Sequence, residues 1–251
     1  MLQIHQFPHP PLENYGVLIH DPESGETAAI DVGDGPSYFA AVEATGWTPT
    51  QIWVTHHHHD HITGLAALKN ASGASVYGPA GIDGVDTVLS DGDRFSFAGR
   101  QVDVIHTPGH TMDMLNFYIA SEGIVFTGDT LFVMGCGRLF EGSPLDMWTS
   151  MQKLMALPEQ TQVYCSHEYT LSNAKFAVSV DPDNMALRNR AIEVEQLREQ
   201  GDPTVPSTIS AELATNPFLR CDDPSIRAGL GMEGASDVEV FAELRKRKDS
   251  F

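Results

Sequence analysis

Residues 52 to 64 read Ile-Trp-Val-Thr-His-His-His-His-Asp-His-Ile-Thr-Gly, a short apolar run that delivers imidazoles and a carboxylate. A histidine run can be a fragment of an affinity tag, but tags sit at termini and this one follows a strand-type segment. The informative spacing is His56-x-His58-x-Asp60-His61. In extended chain, side chains alternate faces, so His56 and His58 point the same way. A turn into a helix near Ile62 aims Asp60 and His61 at a neighbouring ion, and leaves His57 and His59 as fillers. The stretch offers more ligands than one tetrahedral ion takes, so it asks for two metal sites side by side.

Three further motifs carry ligand-type residues just past apolar strands: Thr107-Pro108-Gly109-His110-Thr111, Thr127-Gly128-Asp129-Thr130 and Ser166-His167-Glu168-Tyr169. Loops at strand ends converge on one sheet edge, where function concentrates. His56, His58 and His110 then serve one ion. Asp60, His61 and His167 serve the second, and Asp129 bridges the two. Imidazole with carboxylate suits zinc and also tolerates iron or manganese. Two divalent ions, two carboxylates and a hydroxide sum to about +1, a core that attracts an anion. Thr111, Asp31 and backbone carbonyls are the candidates to fix the rings. A paired site of this kind lowers the pKa of a shared water and polarises a carbonyl or phosphoryl oxygen. It implies hydrolysis without a covalent protein intermediate, and no Gly-x-Ser-x-Gly elbow is present. Cys136 reads as a small buried thiol in a tight loop, Cys165 as strand core and His106 as a satisfied strand histidine.

The elements that must position these groups are mostly strands. Leu2 to Phe7, Tyr15 to Ile19, Thr27 to Val32, Ile52 to Val54, Ser75 to Tyr77, Thr87 to Leu89, Phe95 to Phe97, Gln101 to His106, Leu115 to Ile119, Ile124 to Phe126 and Gln162 to Cys165 fit strands bounded by turn residues. The spacing of Phe39, Val42 and Ala44 predicts a helix over 36–45, stopped at Gly46. Another helix runs from Leu65 to near Gly73, and Leu145 to Leu157 forms an amphipathic one with Pro144 near its first turn. Helices at Asn173 to Val180, Asn184 to Gln200 and Asp237 to Arg247 end the chain, with Phe218 and Leu219 packing in a connector. The expected fold is α+β, two sheets face to face with helices outside. Residues 1–171 form a catalytic domain and 172–251 a small helical one.

The chain has 251 residues and is 41% hydrophobic, enough for a real core without disulfides. Cys136, Cys165 and Cys221 are odd in number and widely spaced, which suits a reducing compartment. No signal-type start and no apolar run of membrane-spanning length is seen. The expectation is a cytoplasmic monomer. With 34 acidic and 15 basic residues the net charge is −19, which argues against nucleic acid as partner. The basic residues gather at Arg245, Lys246, Arg247 and Lys248, where a helix terminus favours them.

Thr-His-x-His-x-Asp-His at 55–61, Thr-Pro-Gly-His at 107–110, Phe-Thr-Gly-Asp-Thr-Leu-Phe at 126–132 and Ser-His-Glu-Tyr-Thr at 166–170 resemble the metallo-β-lactamase superfamily. More narrowly, the chain is similar to the glyoxalase II (hydroxyacylglutathione hydrolase) family over almost its whole length, helical tail included. The resemblance implies an αββα sandwich with a binuclear site that cleaves S-D-lactoylglutathione to D-lactate and glutathione. The family's ligands fall on His56, His58, His110 and Asp129 for one metal, and on Asp60, His61, Asp129 and His167 for the other. Asp60 and Asp129 are thereby the catalytic carboxylates. Its substrate-binding residues match Arg138, Tyr169, Arg245 and Lys248, and Asn173 and Phe176 match the start of its helical region. Phe140 stands where some members carry tyrosine, and keeps the ring without the hydroxyl. Arg138 replaces a lysine of some relatives and can bind a carboxylate in two-point fashion. Glutathione carries two carboxylates, so Arg138, Arg245 and Lys248 are expected to hold its glycine end, with Lys246 and Arg247 facing solvent. The rivals on the same scaffold are a hydrolase of a lactone, another thioester or a β-lactam, and a one-iron persulfide dioxygenase. A metal-stabilised binding protein is the non-enzymatic one. The complete second set of ligands weighs against a single-metal enzyme, and the tail and unsecreted look against a β-lactamase.

Overall fold

A computed structural model describes residues 1–251, which pack as two units: residues 1–106 with 113–128, and residues 107–112 with 129–251. In the first unit, six strands form one sheet in sequence order: β1 (Gln3–His9), β2 (Asn14–His20), β3 (Thr27–Ile30), β4 (Gln51–Trp53), β5 (Ser75–Gly78) and β6 (Thr87–Val88). The first three pair antiparallel, and β3 to β6 pair parallel. Parallel neighbours need crossovers. The first two are supplied by α1 (Gly35–Thr45) and by α2 (His59–Ile62) with α3 (Leu65–Ser72), and a turn-rich segment over residues 79–86 makes the third. A second sheet holds β7 (Arg94–Phe97), β8 (Arg100–His106), β9 (Leu115–Ile119) and β10 (Ile124–Gly128), all antiparallel in the order β10-β9-β8-β7.

Strand alternation explains how the layers join. In β4, Ile52 faces the helices in a core with Leu18, Val32, Tyr38, Leu65 and Leu68. Its neighbour Trp53 points the other way and is fully buried against Phe95, Phe97 and Phe117, with ring centroids 5.2 to 5.6 Å apart. The result is the expected sandwich of two sheets with helices outside.

Helix α1 forms where the spacing predicts it. Asp34 caps its N-terminus by accepting from the Ser37 amide at 2.9 Å, and Gly46 ends it at φ 74°. Its buried side is Gly35, Tyr38 and Ala41, whereas Phe39 is 40% exposed. The reason is polar: the buried Tyr38 hydroxyl donates to the Ile30 carbonyl and accepts from the Val17 amide.

The second unit contains a hairpin of β11 (Leu131–Phe132) and β12 (Gly135–Cys136), then α4 (Pro144–Met155) and β13 (Gln162–Cys165). Helices α5 (Thr170–Val180) and α6 (Met185–Gln200) follow, then β14 (Ser207–Thr208), which pairs antiparallel with β13. The chain ends through α7 (Ile209–Thr215), a 3₁₀ turn (Pro217–Leu219), α8 (Pro224–Leu230) and α9 (Asp237–Asp249). Capping boxes at Ser143/Asp146 and Ser236/Glu239 start α4 and α9. Phe218 and Leu219 are buried as expected, Phe218 between Phe176 and Phe241. No helix is long and apolar enough to cross a membrane.

Tyr38→Phe strands the Ile30 carbonyl and the Val17 amide in the core. The expected cost is about 1–3 kcal/mol, read as a lowered urea midpoint with an unchanged slope; an unchanged midpoint would refute the role given to this hydroxyl.

Candidate active site

In the first unit the site grows from two adjacent parallel strand ends. β3 and β4 run in register, Ile30 beside Trp53, so the segments that leave them emerge together. Asp31 follows β3 in a left-handed conformation, φ 48°, which aspartate tolerates better than most residues. One of its oxygens accepts from the Thr55 amide at 2.7 Å, and the other from the Thr55 hydroxyl at 2.8 Å and His61 Nδ1 at 2.9 Å. The Thr55 hydrogen is thus committed to Asp31, which leaves its oxygen to accept from His56 Nδ1, 2.9 Å away. The His56 ring lies 4.7 Å from that of His58 and 4.1 Å from that of His61. Asp60 lies in the first turn of α2, and Asn14 Nδ2 donates both to its carbonyl and to its Oδ2, each at 3.1 Å. The turn is tight: a β-carbon at Gly33 would sit 1.8 Å from the Asp60 carbonyl oxygen. His57 turns away to pair with Asp113 at 3.0 Å and is exposed, and His59 opens the helix on its outer side.

In the second unit, His110 Nδ1 donates to the Arg138 carbonyl at 2.9 Å. That fixes the tautomer, so Nε2 carries the lone pair, 3.4 Å from Asp129 Oδ2. His167 Nε2 lies 3.1 Å from the same oxygen. The His167 ring is stacked flat on Tyr169, centroids 4.6 Å apart at 4°, and Phe140 meets His110 edge-on at 5.2 Å. A carboxylate oxygen and an imidazole lone pair turned toward each other are an arrangement that a cation between them relieves.

Three sets of side chains offer ligand atoms all within 4.8 Å of one another: His56, His58 and His110; His56, His61 and Asp129; Asp60, His61 and His167. The sets overlap, so the His/Asp cluster is binuclear in extent. The donor set fits: His56, His61 and His110 each have Nδ1 anchored, which leaves Nε2 for an ion. Of the candidates named from sequence (Thr111, Asp31 and backbone carbonyls), Asp31 orients His61, a choice that the sequence alone does not make. Nor does the sequence single out the Arg138 carbonyl, because a backbone oxygen belongs to no residue type.

The residues matched to substrate binding all lie in the second unit. Arg138 is 65% exposed at its side chain, 3.9 Å from Asp249. Phe140 is exposed, whereas Asn173 is buried and donates to the Val133 carbonyl at 3.1 Å. Arg245 is buried too: its guanidinium lies over Phe218, donates to the Cys136 carbonyl at 2.9 Å and pairs with Asp249 at 2.8 Å. Lys248 Nζ donates to the Ser172 hydroxyl at 2.8 Å and its carbonyl at 3.1 Å. Burial first, then the charges of Arg245 and Arg138, lower the Lys248 pKa to about 8. Lys246 and Arg247 face solvent beside Glu243. The Cys136 thiol is buried, and that burial raises its pKa to about 11 against the pull of Arg245. A thiol kept neutral in this way is not a nucleophile.

Residues 14–167 match the family model of the metallo-β-lactamase superfamily, and residues 168–251 that of the hydroxyacylglutathione hydrolase C-terminus. The chain is 52% identical over 254 residues to a hydroxyacylglutathione hydrolase of Maricaulis maris, covering 100% of this chain and 99% of that one. It is 54% identical over 243 residues to one of Brucella ovis, covering 95% of each. Among solved structures, ETHE1 from Myxococcus xanthus superposes with a TM-score of 0.70 at 24% identity, over 97% of this chain and 90% of that one, and so shares the fold. Sandwich, His/Asp cluster and helical tail lie in a sequence that full-length relatives match end to end, and the chain belongs to the hydroxyacylglutathione hydrolase family of the metallo-β-lactamase superfamily.

Proposed function

We infer that the chain is a metal-dependent thioester hydrolase. It cleaves S-D-lactoylglutathione, and related 2-hydroxyacyl thioesters of glutathione, to the 2-hydroxy acid and glutathione. This is the second step of methylglyoxal detoxification. The observation that carries the reading is the His/Asp cluster with anchored rings, in a chain matched end to end by hydroxyacylglutathione hydrolases. His56, His58 and His110 with Asp129 would hold one ion, and Asp60, His61 and His167 with Asp129 would hold the other. The donor set favours zinc and accepts iron or manganese. Two such ions, when bound, lower the pKa of a water molecule and polarise the thioester carbonyl.

The remaining work falls to side chains. Asp60, held by Asn14, is a ligand and orients the attacking water. Water adds to the carbonyl carbon and gives up its protons to solvent, the C–S bond breaks to leave the 2-hydroxy acid as its carboxylate, and the departing thiolate takes one proton from solvent. Arg138, Arg245 and Lys248 receive the glycine-end carboxylate, while Phe140, Tyr169 and Asn173 line the approach of the glutathione half. Residues 1–171 serve as the catalytic domain and 172–251 as the substrate-binding domain of a cytoplasmic monomer.

Asp60→Ala and Asp129→Ala are each expected to lower the metal content below two ions per chain and to lower kcat. Normal occupancy together with normal kcat in either variant would remove the assignment. Steady-state hydrolysis of S-D-lactoylglutathione, read as acid release beside a glutathione thioester lacking the 2-hydroxyl and beside a lactone, tests the substrate class; a preferred lactone would overturn it.

Lys248 is charged below its pKa of about 8 and loses that charge as the pH rises through it. An anion-binding role therefore makes kcat/KM, which reports on the free enzyme, fall above about pH 8. Lys248→Met should lower kcat/KM at pH 7 and abolish this limb. A variant that keeps both the limb and the KM would exclude Lys248 from binding.

A further inference from the structure

The connector before the 3₁₀ turn carries a buried acid that the reaction does not use. Glu212, on α7, is 1% exposed. Its Oε2 accepts from the Met134 amide at 2.8 Å and from Asn216 Nδ2 at 3.0 Å, and its Oε1 accepts from the Ser207 hydroxyl at 2.5 Å. Asn216 is fully buried, and the same Nδ2 reaches the carbonyls of Phe132 at 3.2 Å and Gly135 at 2.9 Å. Two side chains from one helix end thus grip the β11–β12 hairpin at three of its backbone groups.

A buried carboxyl group is expensive unless it is fully hydrogen-bonded, and burial raises the pKa of this one. An apolar residue would fill the same space at lower cost. The hairpin also needs holding, since Met134 sits at φ 53°, a left-handed conformation that is unfavourable for a non-glycine residue.

The two ends of the hairpin lead to metal-type side chains. Its first strand begins two residues after Asp129. Just past its second strand, the Gly137 amide donates to the Thr130 carbonyl at 3.2 Å. A β-carbon at Gly137 would lie 2.0 Å from the Asp129 carbonyl oxygen and 3.1 Å from His110 Nδ1. The next residue, Arg138, supplies the carbonyl that takes the His110 proton. The hairpin is therefore the backbone path from the Asp129 main chain to the oxygen that orients His110.

We propose that Glu212 and Asn216 are positioning residues for the metal centre. By holding the Met134 amide and the hairpin carbonyls they set Asp129 and the Arg138 carbonyl, and through them His110. The proposal rests on the reading of Asp129 and His110 as ligands.

The test is zinc affinity, measured by competition with a chromophoric chelator on the full-length chain, beside urea unfolding of each variant. Glu212→Ala is expected to weaken zinc binding roughly 10–100-fold, the usual range for lost ligand-orienting contacts. Glu212→Gln keeps an oxygen toward Met134 and Asn216 and turns its amide to the Ser207 oxygen, so it should bind zinc nearly as the parent does. Ser207→Ala removes only the bond on the side away from the hairpin; it should lower the unfolding midpoint and leave zinc affinity unchanged. If Glu212→Ala does not fold, Asn216→Ala reads the same grip and should weaken zinc in the same direction.

Parent-like zinc affinity in both alanine variants, or equal weakening by Ser207→Ala, overturns the proposal. Asp129→Ala separates the two levels. If it binds zinc like the parent, the ligand reading falls and the proposal falls with it. If it binds weakly while Glu212→Ala does not, only the positioning role falls.

Discussion

An imidazole ligates a metal through one nitrogen only while the other holds the proton, and much of this chain serves that condition. At His61 the proton goes to Asp31, at His56 to the Thr55 oxygen and at His110 to the Arg138 carbonyl. Asp31 carries the largest share, since it also binds the Thr55 amide and hydroxyl, and so determines that the threonine oxygen can only accept. Its left-handed backbone is the cost of reaching all three groups from the end of β3. The parallel pairing of β3 with β4 makes that reach possible, and the fully buried Trp53 holds β4 in its layer.

The same economy governs charge. A net charge of −19 opposes an anionic substrate at long range, but salt screens exposed charges beyond about 8 Å at physiological ionic strength. What matters is the neighbourhood of Arg138, Arg245 and Lys248. Burial first, and then repulsion from Arg245 and Arg138, lowers the pKa of Lys248, and the Asp249 carboxylate opposes part of that shift. Clustered cations with Asp249 as their shared counterion leave this neighbourhood net positive. Acidic residues over the remaining surface add solubility and leave this neighbourhood alone.

The sequence was most legible where a side chain's type and its strand-end position coincide. His56 and His58 follow from the two-residue period of an extended chain, and His110, Asp129 and His167 from their places just past apolar strands. The face of α9 was legible in principle too: Phe241, Leu244 and Arg245 fall at helical spacing and are buried, whereas Lys246 and Arg247 are not. Other features were hidden for physical reasons. Two-residue strands such as β11, β12 and β14, and seven-residue helices such as α7 and α8, are too short to show a period. Phe39 outranks Tyr38 in hydrophobicity, yet the tyrosine is buried because a hydroxyl can serve a carbonyl and an amide at once. Backbone acceptors, the Arg138 carbonyl above all, cannot be read from residue types.

Arg245 shows how the tail and the hairpin depend on each other. Its guanidinium is fixed on three sides: by the Cys136 carbonyl at the end of β12, by Asp249 one helical turn on, and by the Phe218 ring beneath it. A planar fork fixed this way has little rotamer freedom left to lose. The Cys136 thiol beside it stays protonated because burial outweighs the arginine's charge, so this loop supplies geometry and no nucleophile. The chemistry is thereby left to water and to the groups that orient it. The C-terminal helices act on that chemistry by fixing a neighbouring hairpin, and they contribute no reacting atom of their own.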